Sequence, residues 1–185
     1  PSFNFNKRKD VIIIEIDDEL YVINQKSANE RIIYENLKEN YYNDNKDSQL
    51  MLLPDIINLN SKQMGIAKDN FYLFKKAGFD LEEFGENTIK LSGVPNICID
   101  LDTKELVLEC LNKINTIART AKQEIEEKFL ETIAAKAAER AKKALTFEEV
   151  DGLMQKLLVM DNPFASPDEK PIAIKLSKSE IDKKF

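Results

Sequence analysis

The 185-residue chain has no histidine. Its absence removes the commonest general base and excludes Ser-His-Asp and Cys-His catalysis, which leaves carboxylates, lysines and hydroxyls as the reactive groups. Cysteine is scarce as well: Cys98 and Cys110 are the only two, and with no imidazole to join them they cannot build a Cys/His zinc site. Both lie in apolar surroundings and read as reduced core residues of a cytoplasmic protein. Long apolar runs are missing. The longest are four-residue stretches such as Val11–Ile14 and Leu157–Met160, against the roughly 18 residues a membrane span requires. The first ten residues are polar and basic and do not read as a charged n-region leading into an apolar h-region, so no targeting peptide is expected. The chain begins at Pro1 rather than Met and is expected to be a fragment of a longer protein.

What is present suits one domain or two small lobes. Hydrophobic residues make up 43% of the chain, enough for a core, and 32% are charged, with a net charge of −6. Val11–Ile16 and Leu20–Ile23 are β-branched runs around Asp17-Asp18-Glu19 and predict a hairpin of two largely buried strands. From about Ser27, Ile33, Leu37 and Tyr41 recur at helical spacing, and a polar loop over 43–48 ends the helix. A short strand is expected at Leu50–Leu53. A helix follows from Asn60-Ser61 to Lys75-Lys76, with Gly78 as its left-handed cap. Strands are expected over 79–84 and 88–91, closed by Gly93-Val-Pro95. Helices resume near Thr103. A long helix, or two in tandem, is marked over 117–145 by Ile125, Phe129, Ile133, Ala137, Ala141 and Ala144. Thr146-x-x-Glu149 is a capping box for a helix with Phe147, Val150, Met154, Leu157 and Leu158 on its apolar face. Pro171–Leu176 reads as a strand, and Ser177-x-x-Glu180 caps a short terminal helix. Strands at both ends of the chain around a self-contained middle predict an α+β fold with a lobe inserted into a discontinuous domain.

Several segments, in this order and spacing, carry a resemblance. They are Leu20-Tyr-Val-Ile-Asn-Gln-Lys-Ser-Ala-Asn-Glu-Arg-Ile-Ile-Tyr-Glu35, Gln49-Leu-Met-Leu-Leu-Pro54, Gly78-Phe-Asp-Leu-Glu-Glu-Phe-Gly85, Val94-Pro95, Ala134-Ala-Lys-Ala-Ala138 and Asn162-Pro-Phe-Ala-Ser-Pro-Asp-Glu-Lys-Pro171. Together they resemble the C-terminal dimerisation domain of the mismatch repair protein MutL over nearly the whole chain. The resemblance implies a dimerisation lobe built from 1–53 and 129–185, with an outer lobe, 54–128, inserted between. It implies a homodimer that couples two ATPase arms. It also implies that ATP and Mg belong to an N-terminal domain outside this fragment, and that a MutS-like mismatch sensor and DNA are met through the full-length protein, in the cytoplasm and not at a membrane.

Many members of that family are metal-dependent nicking endonucleases, and this sequence departs from all three of their metal-site motifs. In the first, Asn24 stands for the Asp, Lys26 for the His and Ser27 for the Ala, while Gln25, Glu30 and Glu35 remain. In the second, Ala135 stands for the Cys and Lys136 for the basic residue. In the third, Ser166 replaces Cys, Asp168 replaces His, Glu169 replaces Gly and Lys170 replaces Arg. Zinc is usually held by four thiolate, imidazole or carboxylate ligands, and the first two kinds are gone. Three readings of Glu30 stay open. Lys26, four residues earlier on one helix face, fills an inert site and pairs with it. Alternatively Ser27-x-x-Glu30 is a capping box and nothing more. In the third, Glu30, Glu35, Asp168 and Glu169 form an all-oxygen magnesium or manganese site, which would make the chain a nickase using carboxylates only.

The family resemblance also reads Gln49, Leu50, Met51, Leu52, Leu53 and Pro54 as a docking peptide for the replication sliding clamp, a polar group and apolar side chains entering a groove. The alternative is an ordinary strand with Leu50, Leu52 and Leu53 in the core. Lys136, Arg140, Lys142 and Lys143, with Lys7-Arg8-Lys9, are basic clusters that suit either a DNA backbone or a solvated helix end.

Overall fold

The computed structural model describes residues 10–45, 47–117, 121–140 and 145–185. In chain order the strands are β1 (Val11–Ile16), β2 (Glu19–Asn24), β3 (Ser48–Asn58), β4 (Asp80–Gly85), β5 (Thr88–Pro95) and β6 (Ala173–Leu176). The helices are α1 (Gln25–Tyr42), α2 (Ser61–Lys76), α3 (Thr103–Ile117), α4 (Lys122–Ala138), α5 (Phe147–Leu158) and α6 (Lys178–Asp182). The fold is α+β, with two antiparallel three-stranded sheets, and it divides into two compact units, Pro1–Glu35 with Ala138–Phe185, and Asn36–Ala137.

In the first unit, the β1–β2 hairpin turns through Asp17 and Asp18, both at positive φ (52° and 63°). Two left-handed residues in a two-residue loop match the strand twist, and aspartate tolerates that region better than most residues. β6 pairs with the other edge of β2, giving the order β1-β2-β6, so a strand from the end of the chain lies beside one from its start. Ile12 and Ile23 face each other across the hairpin and are buried with Ala28 and Ile32 of α1, Leu153, Met154 and Leu157 of α5, and Ile172. The Thr146 capping box forms as expected: the Glu149 N–H donates to Thr146 Oγ1 at 3.3 Å and the Thr146 N–H to Glu149 Oε2 at 2.9 Å. α1 starts earlier than its apolar spacing indicates. Asn24 accepts the Ser27 N–H at 2.9 Å, so Ser27 is the third helical residue and not the cap. The capping-box reading of Ser27 and Glu30 is thereby overturned.

In the second unit the strand order is β3-β5-β4. α2 is opened by an Asn60–Gln63 capping box and closed by Gly78 at φ 97°. The Phe79 N–H reaches Phe74 O at 2.9 Å and the Gly78 N–H reaches Lys75 O at 3.3 Å, while the Phe74 and Phe79 rings meet edge-on at 5.6 Å. That is the hydrogen-bond pattern and apolar contact of a Schellman stop. Phe74 also meets Phe129 of α4 edge-on at 4.9 Å. Around them, Leu81, Ile89, Leu91, Leu106, Leu111, Ile114, Leu130 and Ile133 are buried. Each such side chain contributes roughly 1.5–3 kcal/mol relative to leaving it in water. Glu126 is buried as well, and its charge is met by Tyr41 Oη at 3.1 Å and Tyr42 Oη at 3.3 Å. Cys98 and Cys110 are free and buried, and burial pushes the Cys98 thiol up to about 12.

Other differences from the sequence reading have local causes. β3 runs for 11 residues instead of four, and β5 continues through Gly93 to Pro95 because its partners continue beside it. Over 117–145, Ile117 ends α3 and α4 begins at Lys122; Ala141 and Ala144 fall outside the described residues. No helix among the described residues is long and apolar enough to cross a membrane.

Candidate functional site

At the start of α1, Gln25 is buried, Asn24 is spent on the cap, and Lys26 forms an ion pair with Glu139 at 3.8 Å. The residue that organises this region is Arg31, which motif reading passed over. Its buried guanidinium donates to Ala165 O at 2.7 Å and Ser166 O at 2.9 Å, and pairs with Glu35 at 2.7 Å. A planar fork with fixed donors suits such multiple contacts better than lysine would. Helix α1 thereby holds the loop that carries Ser166, Asp168 and Lys170.

That loop closes on itself. The Ser166 N–H donates to Lys170 O at 2.8 Å, the Lys170 N–H donates to Ser166 Oγ at 3.1 Å, and Ala165 bridges Pro171. Glu169 takes a left-handed φ of 63°, a conformation the glycine of the family motif adopts without strain. The Ser166 hydroxyl donates to Asp168, and Lys170 Nζ sits 2.5 Å from the same carboxylate. Lys170 first, and Ser166 second, hold the Asp168 carboxyl below its ordinary range, and Asp168 raises Lys170 in turn, with Glu30 adding to that rise.

These donors do not fit a divalent cation. Glu35 is committed to Arg31 and Asp168 to Lys170, and among the described residues no group of three or more Cys, Asp or Glu side chains converges. The all-oxygen set of Glu30, Glu35, Asp168 and Glu169 is therefore not assembled. The positive charge nearest these carboxylates is the protein's own, supplied by Arg31 and Lys170. Ala135 lies on α4 in the other unit, next to Lys136, whose ammonium is held at 3.1 Å by both Glu105 and Glu109. Those two carboxylates, Glu109 foremost, raise its pKa. Lys136 is thus engaged within its unit, and Lys142, Lys143 and Lys7-Arg8-Lys9 lie outside the described residues.

Gln49–Pro54 lies within β3 but is neither regularly paired nor core. Gln49 pairs with Val94 and Leu50 with Gly93, but the ladder then breaks and resumes only at Asp55 opposite Leu91. Met51–Pro54 stand outside the pairing, a bulge far larger than the usual single extra residue. Leu52 and Leu53 are 102% and 81% exposed, and Leu50 is exposed as well. The reading of these leucines as core residues is overturned: all three are exposed, Leu52 and Leu53 within the bulge and Leu50 at its start.

The sheet of the first unit has a second uncovered apolar surface. Opposite the face that carries Ile12 and Ile23, the register sets Ile13, Val22 and Ile174 in one cross-strand row and Leu20 beside Leu176 in the next. Ile13 and Ile174 are 58% and 61% exposed. Along the edge of β1 a groove of about 650 Å³ runs between that strand and the Phe147, Val150, Met154 and Leu158 side of α5. Phe147 and Leu158, on the apolar face of α5, line this groove and are exposed.

Residues 8–145 match the family described as the MutL C terminal dimerisation domain. The chain belongs to that family. The MutL mismatch repair protein of Clostridium botulinum (strain Langeland) is 33% identical over 174 residues, and that of Clostridium tetani 34%. The MutL protein of Clostridium acetobutylicum is 31% identical. Each of these alignments covers 94% of the chain but only 26–28% of the relative, so the chain spans about a quarter of the length of the curated relatives it matches. Arg31 carries no motif signal in this MutL domain beyond its four-residue spacing from Glu35, and its role comes from residues more than 130 positions away.

Proposed function

We propose that this domain joins two copies of a MutL mismatch repair protein through the unit built from both chain ends, and so couples two ATPase arms that lie elsewhere in the protein. The observation that carries the reading is the open face of the β1-β2-β6 sheet, where Ile13, Val22 and Ile174 form an uncovered apolar row. An apolar patch on a sheet face costs stability in water and is relieved when a second copy covers it. Sedimentation of the chain tests this: a species heavier than the 21.2 kDa chain at micromolar concentration is expected, and 21.2 kDa alone at high concentration would contradict it.

The same domain docks on the sliding clamp through Gln49–Pro54. A segment that leaves the β3–β5 ladder after Leu50, with Leu50, Leu52 and Leu53 exposed, has the form of a peptide that inserts into an apolar groove. Gln49→Ala with Leu53→Ala is expected to weaken clamp binding without unfolding the domain. A MutS-like sensor and DNA are reached through the full-length protein in the cytoplasm. The nickase alternative draws no support from the donor set around Arg31 and Lys170, and supercoiled plasmid incubated with full protein, clamp and manganese distinguishes it: nicking that vanishes in Glu30→Ala would favour the enzyme.

A further inference from the structure

Two side chains from outside β3 hold the chain on either side of the looped-out segment, one just before β3 begins and one where its pairing resumes. On the entering side, Asn96, just after β5, donates its amide to the Asp47 carboxylate, and its backbone N–H reaches Asp47 O at 3.3 Å. On the leaving side, Thr103, the first residue of α3, donates its hydroxyl to Asp55, the residue at which β3 rejoins β5. Thr103 is itself buried. Between these points the backbone passes so close to Gly93 that a Cβ there would lie 3.2 Å from Gln49 O and 3.2 Å from Asp80 Cβ. The four residues Met51–Pro54 therefore leave and re-enter a frame held at both stems.

We propose that Asn96 and Thr103 are positioning residues for docking: two latches that hold the Gln49–Pro54 segment in the shape a partner groove accepts. This inference rests on the clamp reading above. A segment already ordered loses less freedom on binding, so a fixed loop binds more tightly than the same residues in a free peptide. Neither latch side chain belongs to the docking segment. Their effect passes through Asp47 and Asp55.

The test measures the affinity of a purified bacterial sliding clamp for the whole chain, for its variants and for an isolated peptide of residues 47–56. The unaltered chain is expected to bind more tightly than the peptide. Thr103→Val, which keeps the shape and removes the hydroxyl, and Asn96→Ala are each expected to lose roughly three- to tenfold. Thr103→Ser restores the hydroxyl and is expected to recover the lost affinity. Backbone order parameters of Met51–Leu53 are expected to fall in Thr103→Val while those of β5 hold, a readout independent of any partner. Equal affinity of chain and peptide overturns the latch proposal. So does a chain that loses binding in Leu53→Ala but is unaffected by Thr103→Val and Asn96→Ala. Failure of the unaltered chain to bind any clamp overturns the clamp reading itself and the latches with it.

Discussion

The two sheets have the same number of strands and an apolar inner face each, and they differ on the outer one. In β3-β5-β4 the outward row is Ile56, Lys90 and Glu82, with a 2.7 Å ion pair between the last two, followed by Asn58 and Thr88 joined by a side-chain hydrogen bond. In β1-β2-β6 the equivalent row is Ile13, Val22 and Ile174. The β3-β5-β4 sheet pairs polar groups across this row, and its exposed leucines, Leu50, Leu52 and Leu53, sit at the bulged end of β3. The other sheet is apolar on both faces and leaves Ile13 and Ile174 exposed. The first unit thus has an exposed apolar row where the sheet of the second unit has a row mixed with charged and polar groups.

That contrast can be broken in order of effect. Phe129→Ala removes a ring in edge contact with Phe74 and is expected to cost about 3–5 kcal/mol in denaturant unfolding, independent of protein concentration. Ile13→Lys with Ile174→Lys is expected to weaken self-association by on the order of 100-fold in dilution experiments, yet leave the unfolding of the monomer nearly unchanged. Ile56→Lys on the other sheet is expected to alter neither. Arg31→Ala, which removes the guanidinium from Ala165 O and the Glu35 carboxylate and leaves Ser166 O with the Glu169 N–H alone, is expected to cost about 2–4 kcal/mol by the same unfolding measurement.

The smallest effect concerns acid. The Asp168 carboxyl is held below its ordinary value of 3.8 by Lys170 and Ser166. A lowered folded-state pKa gives stability that is complete above 3.8 and is lost as pH falls through the lower folded value. Asp168→Asn is therefore expected to be less stable than the unaltered chain at neutral pH and indistinguishable from it once the carboxyl is protonated. Because Asp168 is partly exposed, solvent screening keeps the difference small. A gap that persists unchanged into strong acid would contradict the assignment.

Much of the fold was legible because its signals are local. Asp17-Asp18 between β-branched runs, Asn60 and Gly78 at the ends of α2, and the Thr146 and Ser177 capping boxes each specify a turn or a helix end from neighbouring residues alone. What failed depended on distant partners. The exposure of Leu52 and Leu53 follows from a break in register between β3 and β5, and nothing in an apolar run of four states whether the ladder will hold. The role of Arg31 was not legible because its acceptors lie on a loop near the other end of the chain. Phe147 kept helical spacing with Val150 and Met154, but spacing marks a face without telling what will cover it. In the site, the substitutions at Asn24, Lys26, Ser166, Asp168 and Lys170 could be read one by one; that Asp168 and Lys170 satisfy each other needed the loop to close.

The most direct measurement is an isotope-filtered nuclear Overhauser experiment on a mixture of labelled and unlabelled chains, which detects only contacts between copies. Intermolecular contacts are expected from the methyl groups of Ile13, Val22 and Ile174, with none from Ile56. Contacts confined to the β3-β5-β4 sheet, or none at a concentration where the chain is dimeric, would contradict the assignment of the open apolar face to dimerisation.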